Sequence, residues 1–200
     1  RPGRFILWYL SIAACLSPFS SFRFRGSPGE VRYSLMTEST LQPLADSILK
    51  FLWESDPVHA TGLGIHDYDY HYADYSPEKR EAYLNQKKDY LAQLKTLSEQ
   101  NLTRDEQVDL SILQAQLSTQ IYEEEVRKQL HRDPSHYPSE ALYGVQQLQI
   151  NYDLPLDHRV LAIMGRLKAM PRLLEQGMNN LRSNPAEIST LSISVARDSV

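Results

Sequence analysis

The sequence predicts an all-α fold, a bundle-like array of several helices, and three observations carry that prediction. From Met36 onward apolar residues recur every three or four positions, the period of one helix face. Helix-start signals recur between those stretches, at Asp56-Pro57, Ser76-Pro77-Glu78 and Thr103-Arg104-Asp105-Glu106. No run alternates apolar and polar residues around a hairpin turn, so no strand pair is expected.

The elements follow in order. Leu41, Leu44, Ile48, Phe51 and Leu52 form one face of a first helix. Asp56 can cap a short second helix with Pro57 in its first position, where proline's missing N–H is not needed. That helix should stop near Gly62 and Gly64. Ser76 is expected as a side-chain cap of the third helix, with Pro77 setting φ and Glu78 facing the positive helix end. Its stripe is Tyr83, Leu84, Tyr90, Leu91, Leu94 and Leu97. Thr103 and Glu106 match the capping box, in which each side chain satisfies the other's N–H. A long fourth helix should bury Leu110, Leu113, Leu117 and Ile121, with Val126 and Leu130 continuing the seam.

Pro134, Pro138 and Pro155 interrupt the next stretch, leaving room for one helix over 139–150. Asp157 is expected to cap the following helix, whose apolar spacing runs through Val160, Met164, Leu167, Leu174, Met178 and Leu181. Pro171 should kink or break it, because the proline ring blocks the preceding turn. Asn184-Pro185-Ala186-Glu187 reads as one more helix start. Leu191, Ile193 and Val195 follow with nothing after Val200 to pack on them. The expectation is therefore an incomplete helical domain over 36–200, the N-terminal portion of a larger helical protein.

Residues 1–35 differ in kind. They hold five arginines against Glu30 alone, while the 200-residue chain has a net charge of −4. The apolar run after Arg4 is too short for a bilayer, which takes about 20 residues, and fits the core of a secretion signal. This stretch is read as a leader or non-native extension. Translation from Met36 would leave the protein in the cytoplasm. Alternatively, Ile12-Ala13-Ala14-Cys15 resembles a lipoprotein cleavage box, and lipidation of Cys15 would attach the chain to the membrane of the cell envelope. A single cysteine excludes an internal disulfide and a Cys-rich zinc knuckle. The acidic remainder argues against nucleic acid as a partner, since phosphate binding relies on clustered Lys and Arg.

The chemistry-bearing residues point to no site. His66 and His71 are five apart, so they do not stack on a helix, although a loop could bring them to Asp67, Asp69 or Asp74. Tyr68, Tyr70, Tyr72 and Tyr75 alternate with polar residues there, as in a turn whose rings lie on neighbouring helices. His131 lies near a helix end that favours a basic group. His136 follows Arg132-Asp133-Pro134, and His158 is expected to be exposed at a helix start. Glu123, Glu124 and Glu125 read as a solvated face within pairing reach of Arg127 and Lys128. No His-Glu-x-x-His and no Gly-x-Ser-x-Gly occurs. No catalytic residue, cofactor-binding residue or metal ligand is assigned.

Several ordered segments carry a resemblance. They are Trp53-Glu54, Asp56-Pro57, "HATGLGIHDYD", Ser76-Pro77-Glu78, "LTRDEQVDLSILQAQL", "RDPSHY" and "MPRLLEQGMNNLRS" with Asn184-Pro185. Over residues 40 to 200 the chain resembles the front half of the bacterial family called domain of unknown function 885. The resemblance implies a zinc-dependent, peptidase-like hydrolase, often a secreted lipoprotein. It also implies that the histidine-tyrosine stretch is a connector between helical units. The family's His-Glu motif and further His lie far downstream and have no counterpart here, so no catalytic residue is carried over. The implied role is an N-terminal segment of a zinc peptidase, inactive alone. Its partners would be the C-terminal half of the same polypeptide and, in the whole protein, zinc and a peptide-like substrate. The alternative is a non-enzymatic helical module that binds a partner helix or peptide.

Overall fold

The computed structural model describes residues 41–97, 101–152 and 154–182, with Ile188, Ile193, Ser194 and Arg197. Most of these residues are helical, and no strand occurs among them. The helices are α1 (Gln42–Ser55), α2 (Pro57–Gly62), α3 (Pro77–Thr96), α4 (Arg104–Tyr122), α5 (Gln129–Arg132), α6 (His136–Ile150) and α7 (Leu156–Arg182).

Two apolar clusters organise them. The first joins α1, α3 and α4 through Ala45, Ile48, Leu52, Leu94, Leu110, Leu113 and Leu117, with Leu41 and Leu102 at its edges. Ile48, Leu94 and Leu117 are wholly buried there, as their spacing predicted. The second is smaller and more aromatic. Tyr137 and Ala141 of α6 meet Leu173 of α7, with Tyr72 and Tyr75 of the connector packed against them. The α6–α7 pairing is close because Gly177 has no side chain: a Cβ there would stand 2.4 Å from the Tyr137 ring.

Local sequence sets the helix ends. Asp56 closes α1 by donating its N–H to the Leu52 carbonyl (3.0 Å). It opens α2 by accepting from the His59 N–H (3.0 Å). α2 ends in a Schellman motif, with Gly64 at φ 81°, the Gly64 N–H on the Thr61 carbonyl (3.0 Å) and the Ile65 N–H on the Ala60 carbonyl (2.9 Å). The Thr103–Glu106 capping box forms in both directions.

Several expectations are corrected. Ser76 makes no side-chain cap; the Asp74 carboxylate instead accepts from the Ser76 N–H (3.0 Å). α4 stops at Tyr122, and a π-helical turn over Glu123–Arg127 follows. Five residues in that turn rotate the face, so Val126 leaves the seam and is 57 % exposed. Leu130 packs on the second cluster, not the first. α6 begins at His136, three residues before the expected start, because Pro138 falls in its first turn, where it displaces no hydrogen bond. Asp157 lies inside the first turn of α7 and does not precede it. Pro171 does not break α7, which runs unbroken for 27 residues. Pro171 and Leu167 are both exposed, so the carbonyl that loses its partner faces water. The expected helix start at Asn184-Pro185 lies outside the described residues.

The α7 apolar spacing is turned outward in part. Val160, Met164, Leu167 and Met178 are about half exposed. The buried face consists of Ala162, Arg166, Leu173, Gly177 and Asn180. Small and polar residues together with Leu173 therefore make the close contact with α6; of the expected stripe, Leu174 and Leu181 pack on the second cluster as predicted, while Val160, Met164, Leu167 and Met178 look outward.

Candidate functional site

The connector between α2 and α3 is anchored by buried polar groups. Asp69 has no exposed surface. One of its oxygens accepts from Thr61 Oγ1 (2.7 Å). The other meets His66 Nδ1 (3.0 Å) and His158 Nε2 (3.1 Å). Thr61 in turn accepts from the guanidinium of Arg166 (2.6 Å), which is fully buried and also donates to the carbonyls of Gly144 and Pro57. Tyr72 lays its ring 5.7 Å from that guanidinium and donates its hydroxyl to the Ala141 carbonyl (2.6 Å). Burial, above all, pushes the Tyr72 hydroxyl up to about 12 and keeps it a donor. Asp69 and Arg166 thus share Thr61, and the connector is tied to α2, α6 and α7 at once.

Further along, Asp74 accepts from Arg172 (2.7 Å) and Gln176 (2.7 Å) of α7. Burial works to raise its pKa, but the Ser76 and Gln176 donors and Arg172 hold it below the usual carboxylate value. The Tyr75 backbone is gripped on both sides, by Gln176 at its N–H (3.0 Å) and by Asn180 at its carbonyl (3.0 Å).

Beside Tyr75 a cleft opens between the two clusters. One lobe has a volume of ≈ 300 Å³ and is lined by Arg80, Lys87 and Lys128 together with Asp56, Asp74, Glu123 and Glu124. The other, ≈ 450 Å³, shares Asp56, His59, Tyr75 and His136 with it, and adds Asp133, Glu140 and Tyr143. No Lys or Arg lines this second lobe. At its floor the Tyr75 hydroxyl donates to Glu140 Oε2. With that proton committed, the phenol oxygen accepts from His136 Nε2 (3.2 Å). The same nitrogen stands 3.3 Å from Glu140. The Glu140 side chain is 10 % exposed, and its Oε1 has no hydrogen-bond partner. Asp56 borders the cleft, where loss of surrounding water and the Glu140 charge raise its carboxyl pKa against the pull of the His59 N–H and His136. The Tyr75 hydroxyl is pushed well above its usual value by burial and by Glu140.

In the lobe, donors from Tyr75 and His136 converge on Glu140 Oε2. The Ser135 hydroxyl donates to Asp133 (2.6 Å), and Ser139 also lines the lobe. Zinc, which the resemblance implies, needs three or four N, O or S donors at about 2.0–2.3 Å. No group of three or more His, Cys, Asp or Glu side chains among the described residues is arranged to hold a metal. In the His66–Asp69–His158 set both imidazoles approach one oxygen at 3.0 and 3.1 Å, hydrogen-bond lengths. The residues described do not fit zinc.

The structure brings together some of the residues singled out above and separates others. His66 and Asp69 do meet, but His71 is exposed and stands apart. His158 is not an exposed helix-start residue: it is partly covered and reaches Asp69 from α7. His131 sits between Arg80 (2.8 Å) and the Asn180 carbonyl (3.0 Å). Glu123 pairs with Arg127 (2.9 Å), while Glu124 and Glu125 reach across to Lys87 (3.0 Å) and Lys88 (2.5 Å) of α3. Lys128 takes up the left-handed conformation, φ 50°, and turns the chain into α5. Sequence reasoning missed Glu140, Tyr75 and Asp56 as neighbours. His136 and Glu140 lie one helical turn apart, a detectable spacing hidden by starting the helix at 139.

Among the described residues no helix is long and apolar enough to cross a membrane. A family model described as "Bacterial protein of unknown function (DUF885)" matches residues 57–196. No curated protein and no solved structure matches the chain.

Proposed function

We infer a role from membership: this chain belongs to the DUF885 family of bacterial proteins of unknown function. The role proposed is that of a helical substrate-holding unit in a peptide hydrolase. One observation carries it, the cleft between the two clusters, in which an acidic lobe and a lobe of mixed charge share Asp56, His59, Tyr75 and His136. A peptide carries both signs of charge and a polar backbone, and such a space can receive it. Binding and orientation are the part assigned to these residues. Zinc chemistry is what the resemblance implies for the whole protein.

The test is peptide binding and cleavage by the 200-residue chain, with added zinc and with chelator. Millimolar or tighter binding of short peptides without turnover is expected. Absence of any binding would overturn the role.

A second reading, the non-enzymatic helical module, is favoured by the outward apolar row on α7. It predicts that Leu167→Lys abolishes capture of a partner helix while peptide binding in the cleft is unchanged. Compartment is proposed on the same footing: cytoplasm with a start at Met36, cell envelope with a lipid on Cys15. Membrane fractionation of Cys15→Ser separates these, since unchanged partitioning removes the anchor.

A further inference from the structure

We propose that the acidic lobe beside Glu140 receives a primary ammonium group, the protonated amine of a peptide's amino terminus or of a lysine side chain. This rests on the peptide-holding role above and names the chemistry by which that role would be exercised.

The first support is an unanswered acceptor. Glu140 is nine-tenths buried, and although Tyr75 and His136 serve Oε2, Oε1 has no partner. A buried carboxylate oxygen with no donor is costly, and a charged donor relieves it most. The second is the sign of the lobe. Asp56, Asp133 and Glu140 line it with no Lys or Arg among them. Of the cations at the neighbouring lobe, Lys87 is paired with Glu124 (3.0 Å) and Arg80 lies against His131 (2.8 Å), while Lys128 lines only that lobe. The Asp56 carboxyl is raised first by burial and further by the Glu140 charge, and a bound cation would offset that second cause.

Shape and donor geometry favour an ammonium over a metal ion. No three of these groups converge as metal ligands. An ammonium instead presents three N–H donors spread in space, and it tolerates aromatic walls. Tyr75 and Tyr143 supply such walls, with the Tyr75 and His136 rings set edge to face at 5.7 Å. The volume, ≈ 450 Å³, fits an alkylammonium with a residue attached.

Calorimetric titration of the 200-residue chain with trialanine, N-acetyl-trialanine and n-butylamine tests this. Free trialanine is expected to bind roughly tenfold or more tightly than the acetylated form, the scale of a charge-assisted hydrogen bond. Glu140→Gln, whose amide oxygen can still accept from Tyr75, is expected to erase that difference, so that free trialanine binds no more tightly than the acetylated form. Equal binding of the free and acetylated peptides to the wild-type chain overturns the proposal, whatever the variant does. So does full discrimination retained by Glu140→Gln. Binding of n-butylamine as well supports a general alkylammonium site, lysine included. Binding of trialanine alone supports the amino terminus as the source. Binding of n-butylamine with neither peptide bound removes the peptide-holding reading and leaves this one. Cleavage that ignores amino-terminal blocking does the reverse.

Discussion

Single residues show where the second cluster has no slack. Gly177 faces the Tyr137 ring so closely that one methyl group cannot enter without moving the ring or the helix. Alanine is the better helix former by about 1 kcal/mol, but here the clash should dominate. Gly177→Ala is expected to destabilise by about 1–3 kcal/mol, the range for overpacking, measured by urea unfolding. Tyr72 makes a different point. Its hydroxyl ionises near 12 in the folded chain against 10 in the unfolded one, so the protonated form is the stabilised one. That contribution is complete below about pH 10 and falls as pH rises toward 12. Tyr72→Phe should lose about 1 kcal/mol at neutral pH with the bond to Ala141, and should flatten the stability profile over that alkaline window. A profile identical to wild type would show that the hydroxyl is not held.

At the scale of elements, the useful contrast lies along α4 and the turn after it. Leu113 and Leu117 are 3 % and 0 % exposed. Leu113→Ala and Leu117→Ala should each destabilise by about 2–5 kcal/mol. Val126→Ala should cost less than about 0.5 kcal/mol, because the π-helical turn has carried it out to solvent. Parallel urea titrations decide this, and equal losses at all three sites would contradict the rotation. The α2–α3 connector is an element of another kind, fixed by polar contacts to α7. Asp74 has a folded-state pKa below its unfolded value. Its contribution is therefore present above about pH 4 and is lost as pH falls through the lower folded value. Asp74→Asn should remove that acid-side dependence, read as the urea midpoint between pH 5 and pH 2.

For the whole molecule, the decisive feature is that α7 serves two surfaces. Its small and polar face closes on α6, and its row of Val160, Met164, Leu167 and Met178 is left half exposed. Leu167→Lys should change stability by no more than about 0.5 kcal/mol, since the side chain leaves little water on folding. A loss of 2 kcal/mol or more would mean that this row is covered in solution. The packing of α6 on α7 and of α3 on α4 builds two bodies of contact, and the cleft exists because those bodies meet around Asp56 and Tyr75 rather than merging into one core.

Local patterning along the chain set the helical class, the α1 face, the Thr103 capping box and the Asp56-Pro57 junction. Those are short-range matters: a cap, a ring-locked φ or a 3.6-residue period acts within one or two turns. The same reasoning misplaced what depends on partners far away in the chain. Spacing alone marked an apolar stripe on α7, but which face turns inward was decided by Gly177 admitting Tyr137 and by Arg166 finding three acceptors on other elements. Only the tertiary structure could bring Asp56, Tyr75, His136 and Glu140 to one lobe. Their electrostatics depend on distance in space and on the water excluded there, and neither quantity is written in their order along the chain.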